Sequence, residues 1–86
     1  MATSPALTII PAHNEEESIE RVISDLQENA AGLDILVVND HSSDATRRIV
    51  EGLGVRHLYL PCNLGYGSAI QIGCAWAVEN GYRRAV

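Results

Sequence analysis

The chain has 86 residues, 47% of them hydrophobic, and sets six arginines and no lysine against eleven acidic residues, a formal net charge of −5. That length allows one small domain with a thin core, since a domain of this size buries roughly 60–65% of the surface its unfolded chain exposes. Scattered arginines on an acidic background disfavour a nucleic-acid groove, which needs a clustered basic patch, and no apolar run approaches the ~20 residues of a membrane span.

The first predicted element is "ALTIIPA" (6–12), a β-branched run ended by Pro11, read as strand one. In the segment that follows, Ile19, Val22, Ile23 and Leu26 recur at helical spacing. Asn14 is the expected N-cap with Glu17 as its capping-box partner, and Gly32 is the expected stop. "DILVVND" (34–40) is strand two; four aliphatics without alternation fit a strand buried on both faces, as parallel strands are. "SSDATRRIVEGLG" (42–54) is helix two, capped by Ser42 or Ser43, with Ala45, Ile49 and Leu53 inward and Gly54 as its stop. "VRHLYLP" (55–61) is strand three. Helix three follows over 68–81, where Ala69, Gly73 and Ala77 permit close approach to a sheet and Asn80-Gly81 closes the helix. "RRAV" opens a fourth strand.

The order β-α-β-α-β-α-β calls for a three-layer, Rossmann-like α/β fold with a parallel sheet, its strands near 7–11, 34–39 and 56–60. The fourth strand is expected beside the first and cut short at Val86. Strand one would then carry an exposed apolar edge, which favours self-association into a homo-oligomer or points to residues belonging to a larger parent. Cys62 and Cys74 fit no metal spacing and read as two free, largely buried thiols of a cytoplasmic protein. The N-terminus lacks the charged and apolar regions of a secretory signal.

In open parallel sheets, ligands bind beyond the carboxyl ends of the strands. Three polar segments meet there: "PAHNE", "NDHSSD" and "CNLGYG". Asp40, at the tip of strand two, reads either as a turn residue or as an acceptor for a base imide or ribose hydroxyl. On the second reading its carboxylate points toward His13 and Glu15, and Asp40→Asn leaves folding intact. Glu15 reads as a first-turn helix carboxylate or a ligand contact, and His13 as a loop histidine or a ring that stacks on a base. His57 reads as structural, and His41 stands where a turn often wants glycine. "GYGSAI" follows strand three and lacks the third glycine, so it is not the dinucleotide fingerprint.

Taken together, "IIPAHNEEESI", "VVNDHSSDAT" and "NLGYGSAIQIG" resemble, in order and spacing, the N-terminal half of a family 2 glycosyltransferase of the GT-A fold, and most resemble the polyprenyl-phosphate sugar transferases. The match covers nearly all of residues 7–86. It implies that the chain is the N-terminal, nucleotide-sugar-binding part of an inverting enzyme. That enzyme would move a hexose from a UDP- or GDP-sugar to a polyprenyl-phosphate or related acceptor, at the cytoplasmic face of the membrane. By position, Pro11, His13 and Glu15 match residues that hold the nucleoside, and Val38 and Asp40 match the backbone and the carboxylate that meet base and ribose. Departures are His13 for tyrosine, Asn39 for aspartate and His41 for glycine. The resemblance implies Mg2+ or Mn2+ in the full-length enzyme, bound by a D-x-D motif beyond Val86, so the 86 residues alone are expected to be inactive and to hold no metal ligands. The rival readings are a non-catalytic nucleotide-binding or assembly module and a plain structural fragment.

Overall fold

A computed structural model of the protein describes residues 6–29 and 33–86. Strands β1 (Ala6–Ala12), β2 (Asp34–Asn39), β3 (Arg56–Tyr59) and β4 (Arg84–Ala85) alternate with helices α1 (Ile19–Asn29), α2 (Thr46–Leu53) and α3 (Tyr66–Glu79). Every strand pairing is parallel, in the order β3-β2-β1-β4. The fourth strand thus lies beside the first, as the element order called for.

Strand side chains alternate between faces, and the core divides accordingly. Leu7, Ile9, Leu36 and Val38 cluster with Leu60, Ala69, Ala77 and Tyr82 on the α3 side. Ala12, Ile35 and Val37 cluster with Ile19, Ile23 and Val50 on the side of α1 and α2. Helices therefore cover both faces of the sheet, giving the three-layer, Rossmann-like α/β architecture. Ile35 to Val38 are all buried, which is why β2 shows no polar alternation. On the α3 side the contact is close: a Cβ built on Gly73 would lie 2.7 Å from Cγ2 of Ile9.

Several local expectations are corrected. Helix α1 starts at Ile19, after a turn in which the N–H groups of Ser18 and Ile19 donate to the Glu15 carbonyl. Asn14 takes φ 55° and bonds the neighbouring loop, so it does not cap α1 with Glu17. The Gly32 stop lies outside the described residues. Helix α2 starts at Thr46, and neither Ser42 nor Ser43 caps it; Asp44 accepts the Thr46 N–H at 2.9 Å and Glu16 accepts the Ala45 N–H at 2.9 Å. The buried face of α2 is Thr46 and Val50, with Ile49 and Leu53 half-buried beside them. Both cysteines are exposed, because the Cys62 loop and the outer side of α3 face solvent.

The exposed apolar edge expected on β1 is also largely absent. Beyond the β4 pairing, Val86 donates its N–H to the Leu7 carbonyl and its carbonyl accepts the Ile9 N–H. By parity Pro11 falls on this same edge, where its missing N–H removes no bond to β2. His41 adopts φ 55°, as expected of a residue standing in for glycine.

Candidate functional site

The tips of β1 and β2 and the loop leading into α3 surround a cavity of about 330 Å3, within the range of small-molecule sites. Pro11, Ala12, His13 and Glu15 line it from the β1 tip. Asp40 lines it from the β2 tip, and Asn63, Gly65, Tyr66 and Ala69 from the loop into α3 and its first turn. Of the residues singled out from sequence, Pro11, His13, Glu15 and Asp40 thus converge. The side chain of Val38 is fully buried in the core on the α3 side, which leaves only its backbone for the role expected of it.

Asp40 is not an unpaired carboxylate. It is 4% exposed, and its two oxygens accept the N–H groups of Leu64 at 2.7 Å and Gly65 at 2.8 Å. Its own N–H donates to the Ala12 carbonyl. Asp40, expected to face His13 and Glu15, lines the same cavity as they do, and its side chain ties β2 to the N-terminus of α3, where an anion is favoured. Gly65 carries φ 95° and ψ 163°, a conformation open essentially only to glycine, and this shape presents two successive N–H groups to one carboxylate. Each Asp40 oxygen retains a further lone pair.

His13 is held at both ring nitrogens. Nδ1 lies 2.8 Å from the Asp40 carbonyl. A carbonyl can only accept, so Nδ1 carries a proton. Asn63 Nδ2 lies 3.0 Å from Nε2 and 3.2 Å from Nδ1. The ring is fixed, and it stands exposed on the cavity wall.

Beside the cavity, the β1 and β2 loops are joined by a seam of hydrogen bonds. The Asn14 N–H donates to Ser42 Oγ at 2.9 Å, the Ser43 N–H to Asn14 Oδ1 at 2.8 Å, and the Glu15 N–H to Thr46 Oγ1 at 2.8 Å. The Glu16 N–H donates to Asp44 Oδ2 at 3.2 Å. Ser42 in turn donates its N–H and hydroxyl to Asn39 Oδ1. Burial raises the Asp44 pKa, but hydrogen bonds from the Thr46 hydroxyl and N–H and from the Glu16 N–H outweigh it and hold the carboxyl below its ordinary 3.8. His41 turns away from the cavity, its ring bonded to the Leu60 carbonyl and packed on Tyr59.

Sequence reasoning placed the "CNLGYG" loop at the site but did not single out Asn63 or Tyr66. Asn63 was legible only through its partner, since an amide donor needs a ring acceptor whose position the fold alone reveals. Among the described residues, no three His, Cys, Asp or Glu side chains gather as a metal-ligand set. The cavity offers Glu15 and an Asp40 already committed to two N–H groups, so its donors do not fit a divalent ion, and no step is assigned to one.

Residues 8–81 match the family described as Glycosyl transferase family 2. An undecaprenyl-phosphate mannosyltransferase of Micrococcus luteus is 37% identical over 81 residues, covering 88% of this chain and 33% of that protein. A dolichyl-phosphate beta-glucosyltransferase of Trichomonas vaginalis is 34% identical, covering 80% of this chain and 25% of that protein. A polyprenol monophosphomannose synthase of Mycolicibacterium smegmatis is 29% identical, covering 93% and 32%. The chain therefore spans a quarter to a third of the length of these relatives.

Proposed function

The chain belongs to glycosyltransferase family 2, and from that premise we propose that it forms the N-terminal, nucleotide-sugar-binding part of an enzyme that moves a hexose from a UDP- or GDP-sugar to a polyprenyl-phosphate or related acceptor. The acceptor class is that named in the relatives from Micrococcus luteus, Trichomonas vaginalis and Mycolicibacterium smegmatis. Such an acceptor places the protein at a membrane surface; among the described residues, no helix is long and apolar enough to cross one.

One observation carries the reading: Pro11, His13, Glu15 and Asp40, matched to nucleoside-holding positions by sequence, line a single cavity at the carboxyl ends of the strands. Each has a role there. The fixed His13 ring offers a flat face to a base, a contact worth roughly 1–3 kcal/mol. Glu15 is exposed at the rim and accepts hydrogen bonds from ribose hydroxyls. Asp40 holds the Leu64–Gly65 backbone in place and retains lone pairs for a ligand donor. Val38 contributes through the β2 backbone that carries Asp40. The wall so formed binds and orients the donor. The transfer itself, a displacement with inversion, together with the divalent ion and acceptor groups it calls for, is assigned to the rest of the protein.

The test is a transfer assay on the full-length protein with UDP- and GDP-hexoses and polyprenyl phosphate, paired with nucleotide titration of wild type and His13→Ala. Turnover in wild type, with nucleotide affinity lowered about tenfold in His13→Ala, is the expected result. Binding without turnover would assign the chain to a non-catalytic nucleotide-binding module. Equal affinity in both proteins would remove His13 from the site.

A further inference from the structure

The chain has four large aromatic side chains, and three of them are engaged. Trp76 and Tyr82 stack with centroids 6.0 Å apart. Tyr59 carries the Arg47 guanidinium at 4.1 Å and His41 at 5.3 Å. Tyr66 differs. It is 74% exposed, and among the described residues its ring has no aromatic or cationic partner and its hydroxyl no hydrogen bond. It is the first residue of α3 and lines the cavity.

The surroundings of Tyr66 are open. It stands between Gly65 and Gly67, and a Cβ built on either glycine would meet nothing within 4 Å. The backbone beneath it is fixed all the same, because Asp40 holds the Gly65 N–H at 2.8 Å. A flat apolar ring is therefore anchored at the mouth of a small-molecule cavity with free space beside it. A surface aromatic of this kind gains most by being covered with another planar group.

Resting on the nucleoside reading above, we infer that Tyr66 is a binding residue that stacks on the base of the bound nucleotide, from the start of α3. Stacking is tolerant of base identity, because every base has a π-face. Tyr66 thus adds affinity for UDP and GDP alike, and base choice is left to the hydrogen-bonding groups of the β1 and β2 tips. The hydroxyl plays no part.

The experiment is calorimetric titration of the intact protein with UDP, GDP and a UDP-hexose, comparing wild type, Tyr66→Ala and Tyr66→Phe. Tyr66→Ala is expected to weaken UDP and GDP about tenfold, and Tyr66→Phe to bind like wild type. Melting curves are expected to coincide, because the side chain is exposed. In parallel, the Tyr66 ring protons of wild type are expected to shift upfield when nucleotide is added. Unchanged affinity in Tyr66→Ala, or unmoved ring protons, would overturn the inference and leave the nucleoside reading standing. A loss seen only with the UDP-hexose would overturn the assignment to the base. Failure of wild type to bind any nucleotide would overturn the inference and the reading it rests on together.

Discussion

The two walls of the cavity differ in how far their polar groups are already engaged. On the side of β1 and β2, the loops are joined by hydrogen bonds between Asn14, Glu15 and Glu16 on one side and Ser42, Ser43, Asp44 and Thr46 on the other. On the α3 side, Asn63 lies within reach of both ring nitrogens of His13, and among the described residues Tyr66 has no hydrogen-bond or ring partner. Much of the polar sequence "NDHSSDAT", which reads as ligand chemistry, is therefore internal stitching. The groups that remain for a ligand are fewer: the rings of His13 and Tyr66, the remaining lone pairs of Asp40, and the carboxylate of Glu15, whose Oε2 accepts from the Ser18 hydroxyl at 3.4 Å. A polar motif at a strand tip shows where a site lies before it shows which atoms touch the ligand.

The contrast can be broken first from below. Gly73 is where α3 presses on β1, and Gly73→Val drives its new methyl groups into Ile9, a stiff β-branched side chain. Overpacking of this kind costs about 1–3 kcal/mol, occasionally more. In a domain of this size that lowers Tm by roughly 5–20 °C, read by thermal melting. Because α3 carries one wall of the cavity, nucleotide affinity is expected to fall with it.

Asp40→Asn sharpens the same contrast. An amide side chain offers one acceptor where the carboxylate offered two, and it turns an N–H toward the N–H of Leu64 or Gly65. A buried donor left without a partner costs about 1–3 kcal/mol. Denaturant titration is expected to show this loss of stability with an unchanged m-value. That outcome reverses the expectation, drawn from turn-forming ability alone, that Asn would replace Asp here without cost.

The smallest effect belongs to the seam. The folded-state pKa of Asp44 lies below its ordinary 3.8, so its contribution is fully present above that value and is lost as pH falls through the folded pKa. The carboxyl is partly exposed and solvent screening applies, so the effect is under about 1 kcal/mol. The stability difference between wild type and Asp44→Asn, followed by denaturant titration from pH 6 to pH 2.5, is expected to shrink below about pH 4.

The fold was legible because β2 is an unbroken aliphatic run and because Ala69, Gly73 and Ala77 mark the face of α3 that meets the sheet. The convergence of Pro11, His13, Glu15 and Asp40 followed from topology, since parallel strands bring their carboxyl ends together. What could not be read were bonds between loops distant in sequence. Asn14 looked like the cap of its own helix, yet it bonds Ser43, 29 residues away. Asp40 read as a turn residue or a ligand acceptor, and its partners, the Leu64 and Gly65 N–H groups, are backbone amides with no residue-type signature.

The central claim is that the cavity at the carboxyl ends of the strands binds a nucleoside, and the most direct test is amide chemical-shift mapping during titration with UDP and with GDP. Shifts are expected at residues 12–15, 40 and 63–69, with Asp34 and Arg56 at the other end of the sheet unmoved. Shifts confined to the Asp34 and Arg56 end, or none up to millimolar nucleotide, would contradict it.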